Sequence, residues 1–466
     1  MNGKQLLFLW MLLGTLSIQS QTSKEAWREC ARIEKQIKKT EFPNRSFIIT
    51  DFGAKVDTPD EPCHESINQA IMECFLSGGG TVLVPPGNFY LGPIVLKSNV
   101  NLHLEEGACL KFVPEQELYF PAVLTRWEGV DCYNTHPLIY ANGETNIAIT
   151  GKGTIDGQAN NTKWWYMCGH PKFGWKEGLI SQKKGGRNRL FHFAENFVPT
   201  YKRIMTPQDG LRPQLINLNN CDRILIEDVT LTNSPFWIIH PVFCENLIVR
   251  RAKMISHGPN SDGCDPESTK NVLIEDCFFD TGDDCIAIKS GRNADGRKWN
   301  IPSENVIVRN CHMKDGHGGV VVGSEISGGF RNLFVENCTM DSPEQDRAIR
   351  LKSNTCRGGI IENVYVRNIK VGECKDAIIR INLKYEKEEN CDRSHDPIVR
   401  NVYVENVTSQ KSKYGIFIDG LDDRINVYNI NIDNCHFDNV QKKNFLHQCK
   451  GLKFNNLFVN GKQIDK

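Results

Sequence analysis

The sequence lacks a net charge, because its 56 lysines and arginines balance its 56 aspartates and glutamates. A chain without an excess of one sign has no long-range field that draws nucleic acid or an anionic membrane surface. We therefore expect no nucleic-acid partner. An acidic ligand would have to be held by a local group of basic side chains.

Apolar runs long enough to cross a membrane are also missing. The run near the N-terminus covers about 13 residues, whereas a transmembrane helix needs about 20. Lys4, the apolar residues 6–16 and the small or polar residues after them have the order of a cleaved secretory signal. We expect residues 1–21 to be this signal and the mature protein to be secreted or periplasmic, with no membrane span.

Helical periodicity is scarce. The polar residues 25–41 predict a short helix, and residues 65–75 place Ile67, Ala70 and Ile71 on one helical face. Most other segments are short, alternate apolar and polar residues, and are rich in valine and isoleucine. This pattern excludes helical repeats and predicts strands.

The sequence does contain a repeat. A seven-residue phrase with alternating apolar positions returns every 23 to 38 residues, and its copies begin at Arg223, Asn246, Asn271, Asn305, Asn332, Asn363, Asn401 and Asn429. A repeat of this length built from strands indicates a solenoid. We predict an all-β fold, a right-handed parallel β-helix of about ten coils with a short N-terminal helix as cap. After an N-terminal segment, 22–45, residues 46–466 would form one catalytic domain.

Cysteine is abundant, with 18 residues. In the last position of the repeated phrase, cysteine alternates with valine, isoleucine and alanine, which is typical of a small core residue. We therefore expect mostly buried thiols, with one or two disulfides among Cys356, Cys374, Cys391 and Cys449 near coil ends.

Two segments interrupt the repeat. Residues 155–215 are polar and rich in aromatic side chains, and residues 293–302 lengthen a later coil. Long loops inside a compact fold are usually functional. We expect both insertions to wall off one end of a cleft.

Four polar turns follow successive copies of the phrase, and each leads to a serine: Ser268, Ser290, Ser324 and Ser353. Aligned on these serines, Asp262 lies level with Asp284, His317 level with Asp283, and Lys352 level with Lys289. Arg350 lies two residues before Lys352, on the same face. Because parallel coils stack about 4.8 Å apart, these residues should form one corner, while Asp265 and Glu267 continue along the strand as structural residues.

Such a corner suits cleavage of a glycosidic bond in an acidic sugar polymer. One carboxyl must be protonated to donate to the leaving oxygen, and another must be ionised to activate water. Crowded carboxylates raise the pKa of at least one member, and an arginine can bind a sugar carboxylate through two hydrogen bonds. Acids on neighbouring coils favour the inverting separation of about 6.5–9.5 Å.

The motifs Asn260-Ser261-Asp262, Gly282-Asp283-Asp284, Gly316-His317-Gly318 and Arg350-Leu351-Lys352 resemble those of polygalacturonase-type enzymes, glycoside hydrolase family 28. The resemblance implies inverting hydrolysis of galacturonan without a metal or cofactor. It makes Asp283 the general acid, Asp262 and Asp284 the pair that activates water, and His317 a support for the acid's protonation. Arg350 and Lys352 would bind the sugar carboxylate. Asn260, Lys289, Arg292 and Tyr385 are further candidates for substrate binding.

Other functions remain open from the sequence. A pectate lyase would share the fold but would need Ca²⁺ and a basic residue as proton acceptor, and a non-catalytic β-helix would bind carbohydrate without turnover. Within the hydrolases, the substrate could be polygalacturonate, rhamnogalacturonan or another plant pectin. The insertions favour exo action, and a monomer is the default expectation.

Overall fold

The structure, a computed structural model, describes residues 23–465, and there the chain winds into a right-handed parallel β-helix. The expected secretory signal, residues 1–21, lies outside this part. Among residues 23–465, no helix is both long and apolar enough to cross a bilayer.

Two sheets run the length of the solenoid. Sheet 1 comprises the strands Ser46–Ile48, Gly80–Val84, Gly87–Leu91, Val100–Leu104, Ala108–Phe112, Thr145–Gly151, Thr154–Asp156, Asp222–Glu227, Thr230–Thr232, Glu245–Arg250, Lys253–Ser256, Lys270–Glu275, Phe278–Thr281, Ser303–Arg309, His312–Asp315, Phe330–Glu336, Thr339–Met340, Ile360–Glu373, Ile398–Lys411, Val427–Phe437, Cys449–Val459 and Lys462–Ile464. Sheet 2 comprises Ile94–Val95, Ile139–Asn142, Ile216–Asn219, Ile239–Val242, Ile286–Ile288, Val320–Val322, Arg347–Lys352, Ala377–Asn382, Tyr414–Asp419 and Phe445–His447. Residues 264–267 bridge the two halves of sheet 2.

The repeated phrase forms the strands of sheet 1, and its asparagines explain the turns. Asn271 and Asn305 adopt positive φ angles of 58° and 60°, a conformation that asparagine tolerates better than most residues. The Nδ2 of Asn305 donates to Oδ1 of Asn271 at 3.0 Å, and later copies continue this ladder. The asparagine therefore both turns the chain and ties one coil to the next.

The core lies between the sheets. The second and fourth residues of the phrase point inward, and Cys277, Cys311 and Cys338 stack there as buried thiols, as expected. Of the four cysteines expected near coil ends, Cys356 and Cys391 form a disulfide with a Cα–Cα distance of 5.7 Å.

Two helices belong to the N-terminal part. Helix α1 (Ser23–Gln36) does not cap the solenoid, contrary to expectation, but lies on the outer face of sheet 1. The reason is an apolar stripe on that face, where Phe334 contacts Trp27 at a ring distance of 5.6 Å. Helix α2 (His64–Leu76) contacts the first strands of both sheets and covers the end of the core.

Three excursions leave the coils on one side. The antiparallel hairpin Val123–Trp127 with Val130–Asn134 was not expected from the sequence. Between Thr154–Asp156 and Ile216–Asn219 the chain forms helix α3 (Gly186–Glu195) and only short 3₁₀ turns. Helix α4 (Asn293–Trp299) occupies the 293–302 insertion. The 3₁₀ turns between Asp156 and Ile216 are Trp165–Cys168, Pro171–Phe173, Thr200–Lys202 and Pro207–Asp209, and the described chain also has Ile49–Phe52 and Gln116–Tyr119.

Candidate active site

The strand register confirms the predicted alignment of the polar turns. Cys264 bridges to Ile286, and Ile286 pairs with Val320. Residues two positions earlier therefore come level, which places Asp262 beside Asp284 and both beside Gly318. Since Val322 pairs with Leu351, the next rung brings Lys352 to the level of Lys289.

Asp262, Asp283 and Asp284 form one cluster, in which a carboxylate oxygen from each lies within 4.8 Å of the others. Asp262 and Asp284 are buried, whereas the Asp283 side chain is 22 % exposed. The expected separation of about 6.5–9.5 Å is wrong for these closest oxygens. Asp283 and Asp284 are neighbours in sequence and Asp262 lies one rung away, so the acids meet side by side rather than across a cleft.

Gly318 makes room for this cluster. A Cβ atom at this position would lie 2.9 Å from Oδ1 of Asp284, which is closer than van der Waals contact allows. Cγ2 of Val321 would lie even closer, at 2.4 Å, so the glycine after His317 leaves room for both side chains.

The environment separates the protonation states of two of the acids. Burial, together with the charges of Asp265 and Asp283, raises the pKa of Asp262 well above its ordinary value. Burial also opposes ionisation of Asp283, but the hydrogen bond and charge of His317 outweigh it and lower the pKa of Asp283 to about 2. Like-charge crowding and hydrogen bonding to the ionised form act here in opposite directions.

His317 binds Asp283 through Nδ1, which lies 3.0 Å from Oδ1. This contact raises the pKa of His317 to about 9. At neutral pH the pair therefore carries one titratable proton. It resides on the imidazole, which is then an imidazolium facing an ionised carboxylate. The predicted partnership of His317 with the second acid motif is present in the structure.

The basic residues of the fourth motif reach back across the rungs. Nζ of Lys352 donates to Oδ2 of Asp284 at 2.8 Å, and Nη1 of Arg350 lies 3.8 Å from Oδ1 of the same carboxylate. The ring of Tyr385 lies beside both, at 5.3 Å from Cζ of Arg350 and 5.2 Å from Nζ of Lys352. Asp284 thus balances two cations before any substrate enters.

Lys289 lies beneath the cluster rather than at its mouth. It is 3 % exposed, and Nζ lies 3.5 Å from carboxylate oxygens of both Asp262 and Glu325. Its ammonium also sits 4.4 Å from the ring centre of Trp237. The residue lines the cavity, but its charge is already matched by buried acids.

Arg292 does not join the acid cluster. Its guanidinium lies 3.1 Å from Glu386 and 2.9 Å from Glu389, and it faces a separate surface cavity of about 800 Å³ formed by α3 and residues 386–392. Arg292 was expected to line the same cleft as Lys289. The chain, however, turns into α4 at this point.

Asp265 and Glu267 are structural, as expected. Glu267 accepts hydrogen bonds from Arg126 at 3.2 Å and from Nε2 of His240 at 2.8 Å, all in the buried interior. Asp265 is 0 % exposed and lies 4.0 Å from Lys289.

A cavity of about 100 Å³ opens over the three acids, and some of its lining was not predicted. The cavity contains Asn260 and Tyr385, as expected, and the unpredicted residues are Glu128, Arg187, Trp237, Ser324, Glu325 and Glu386. Glu325 directly follows the register serine Ser324, so the alignment could have identified it. Glu128 and Arg187 come from the hairpin and α3, where no repeat gives a register.

Within residues 23–465, two groups of side chains have the composition to hold a metal ion. One is the acid cluster itself, and the other consists of His257, Asp280 and Asp315. In both, ammonium groups already contact the carboxylates: Lys352 and Lys289 at the cluster, and Lys314 at 2.7 Å from Asp280. These ammonium groups balance the carboxylate charge as a metal ion would.

Comparison with known proteins identifies the family of the chain. Residues 205–455, which include every rung of the cluster, match the family model "Glycosyl hydrolases family 28". A hyperthermoactive exopolygalacturonase of Thermotoga maritima is 40 % identical, and its structure superposes with a TM-score of 0.90 over 94 % of this chain and 97 % of its own.

Two less similar proteins are also described as polygalacturonases. A probable polygalacturonase of Vitis vinifera is 26 % identical over 81 % of this chain and 71 % of its own length. The family 28 exopolygalacturonase of Yersinia enterocolitica, at 22 % identity, shares the fold with a TM-score of 0.73 over 91 % of this chain and 77 % of its own. The chain therefore belongs to glycosyl hydrolases family 28 and is a glycoside hydrolase.

Proposed function

We propose that this protein hydrolyses α-1,4-galacturonosidic bonds of polygalacturonate, removing units from a chain end. The observation that carries the proposal is the set of adjacent rungs on which three carboxylates meet Arg350 and Lys352. The acids supply proton transfer, and the two cations supply partners for a sugar carboxylate. The relatives described as exopolygalacturonases support the choice of substrate.

The general acid in this proposal is Asp283. It is the most exposed of the three acids, and its carboxylate is hydrogen-bonded to His317, which stores a proton at neutral pH. A proton would pass from Nδ1 to the Asp283 carboxylate and on to the glycosidic oxygen as that oxygen leaves. Asp262 and Asp284 would orient the attacking water and take up one of its protons as the reducing sugar is released, and exchange with solvent would then return a proton from these carboxylates to His317.

A second assignment exchanges two of these roles. The raised pKa of Asp262 favours a neutral carboxyl there, which could itself donate the proton. An aryl galacturonide with a good leaving group separates the two assignments, because it needs no protonation of the leaving oxygen. If Asp283 is the acid, Asp283→Asn keeps activity on this substrate and Asp262→Asn loses it. If Asp262 is the acid, the two results are exchanged.

Exo action is supported by the wall of the cavity. Nε of Arg187 on α3 donates to Glu128 of the hairpin at 2.8 Å, and its Nη2 lies 3.7 Å from Glu386. Arg292 also pairs with Glu386, and the disulfide of Cys391 anchors the loop that follows. The hairpin, the α3 segment and the loop that carries Glu386 and Cys391 thus meet at one end of the cavity and would stop a continuing polymer.

Product analysis tests exo action. With polygalacturonate as substrate, early time points should contain only mono- or digalacturonate. A ladder of mixed oligomers would contradict the proposal. A parallel panel with rhamnogalacturonan and substituted galacturonans tests whether another pectin is the preferred substrate.

We also propose that the mature protein begins after residue 21, carries its activity in the single domain 46–466, and works as a secreted or periplasmic monomer. N-terminal sequencing of the exported protein and light scattering of the purified one test these points. A retained N-terminus or a stable oligomer would contradict them.

A further inference from the structure

Arg212 is a buried arginine whose positive charge has no acidic partner among residues 23–465. Four arginines are among the largest fully buried side chains of the described residues. Three of them contact carboxylates: Arg126 with Asp131, Arg203 with Asp295, and Arg357 with Glu389. Arg212, at 0 % exposure, makes no ion pair within the described part of the chain.

Neutral oxygens take up the hydrogen bonds of Arg212. Nη1 donates to the carbonyls of Pro235 at 2.9 Å and Pro259 at 2.6 Å, and Nε donates to Gln182 Oε1 at 3.2 Å. These acceptors are neutral, so the charge of Arg212 is met only by more distant acids, Glu128 and Asp283, and by the ring of Phe236 at 5.0 Å. A buried charge in this condition is costly, so a role in the function would explain why it is there.

The fourth contact of Arg212 leads into the cavity over the acids. Nη2 donates to Oδ1 of Asn260 at 2.7 Å, and Asn260 lines that cavity. With its oxygen engaged by the guanidinium, the Asn260 amide presents its NH₂ group to a ligand. Through Pro259 and Asn260, Arg212 also holds the turn that carries Asp262.

We propose that Arg212 is a positioning residue that acts electrostatically. It fixes the Asn260 amide as a donor toward the substrate, and the sugar carboxylate bound beside Asn260 is the counterion that the buried guanidinium lacks. This inference rests on the proposed function, since only an acidic sugar would supply that counterion. It adds an anchor for substrate charge near the rung of Asp262, whereas Arg350 and Lys352 lie on the last of the four rungs.

The test compares two sugars that differ only in the carboxylate. Galacturonate and galactose are measured as inhibitors of trigalacturonate hydrolysis by the wild type and by Arg212→Met. The variant should raise the inhibition constant of galacturonate about tenfold, which corresponds to roughly 1.4 kcal/mol, and should change that of galactose little. Arg212→Lys, which keeps the charge, should retain most of the preference for galacturonate.

Arg189→Met is the matched control, because Arg189 lies on the same insertion but pairs with Asp209 away from the cavity. It removes the same charge and should leave both constants unchanged. If Arg212→Met raised the inhibition constants of both sugars equally, or changed neither, the inference would be overturned. A wild type that does not hydrolyse trigalacturonate would instead contradict the proposed function.

Should Arg212→Met fail to fold, Asn260→Asp provides the same test. A carboxylate at position 260 would neutralise Arg212 directly, so it should weaken the binding of galacturonate much more than the binding of galactose. Equal weakening of the two sugars would show that the charge of Arg212 does not act on the substrate.

Discussion

At the scale of single residues, the site depends on how its environment distributes protons. Asp262 is pushed toward its neutral form and Asp283 toward its ionised form, although their carboxylates lie within 4.8 Å. The difference comes from their partners, since the hydrogen bond of His317 goes to Asp283. Pairs of groups whose pKa values are driven apart are typical of acid–base catalysis.

Replacing Asp283 with asparagine should lower kcat on trigalacturonate by about 10²- to 10⁴-fold, the usual contribution of general acid catalysis. The loss should be much smaller on an aryl galacturonide with a good leaving group, and this ratio is the measurement. A variant that loses activity equally on both substrates would show that Asp283 does not protonate the leaving oxygen.

The ion pair between His317 and Asp283 should also stabilise the fold in a defined pH window. The folded-state pKa of His317 is raised to about 9, so its contribution is complete below its unfolded pKa and disappears as the pH rises through 9. The pKa of Asp283 is lowered to about 2, so its contribution exists above its unfolded pKa and disappears as the pH falls through 2.

Thermal unfolding of the wild type and of His317→Gln measures this effect. The wild type should have the higher Tm at about pH 5–6, and the difference should vanish above a pH of about 9. The control is His395→Gln, since His395 pairs with Asp392 on an outer loop away from the acid cluster. A constant difference across this range would contradict the proposed pairing.

At the scale of elements, the pairing register of sheet 2 explains most of what the sequence could predict about the site. The serines of the four turns fixed the register, because strands in a parallel ladder pair residue by residue, and that register placed Asp262, Asp284 and Lys352 correctly. Arg292 lies outside the acid cluster because α4 begins at the next residue, although it contacts Glu325 of the cavity lining. The hairpin and α3 could not be placed on the solenoid, since neither carries the repeated phrase.

The sequence also contains a signal for the position of α1. The third residue of successive phrases is apolar and points outward, as in Leu273, Ile307, Phe334 and Tyr365. An apolar stripe on the outside of a sheet needs a cover. The apolar face of the N-terminal helix provides it.

Replacing Trp27 with alanine should therefore destabilise the protein without affecting the site. We expect a loss of about 1–3 kcal/mol in the free energy of unfolding, because the ring packs on Phe334 and on the guanidinium of Arg367. Chemical denaturation and steady-state kinetics measure the two effects. A changed KM with unchanged stability would show that α1 acts on the cleft.

At the scale of the whole molecule, the solenoid turns a linear repeat into a line of side chains. The polar turns of three successive coils supply the acids and the histidine, and the strand Arg347–Lys352 of the fourth coil supplies the basic pair. A net charge of zero fits an enzyme that attracts an acidic polymer only at its cleft. The excursions on one side then select which part of the polymer can enter.

Arg187 is the residue that should control this selection. Replacing it with glutamine removes its contacts with Glu128 and Glu386 and should loosen the closed end. We expect oligomers longer than digalacturonate to appear among the early products, as measured by chromatography, while the bonds are still hydrolysed. Unchanged products would show that the wall does not depend on Arg187.

The masses of the products formed from trigalacturonate, in the presence of EDTA, test the central claim most directly. Hydrolysis by the acid cluster adds one water for each bond broken, so the products should be saturated galacturonate and digalacturonate. Because the account assigns the chemistry to side chains, EDTA should leave the rate unchanged. Unsaturated products lighter by one water, or activity that disappears with EDTA, would contradict the account and indicate a metal-dependent lyase.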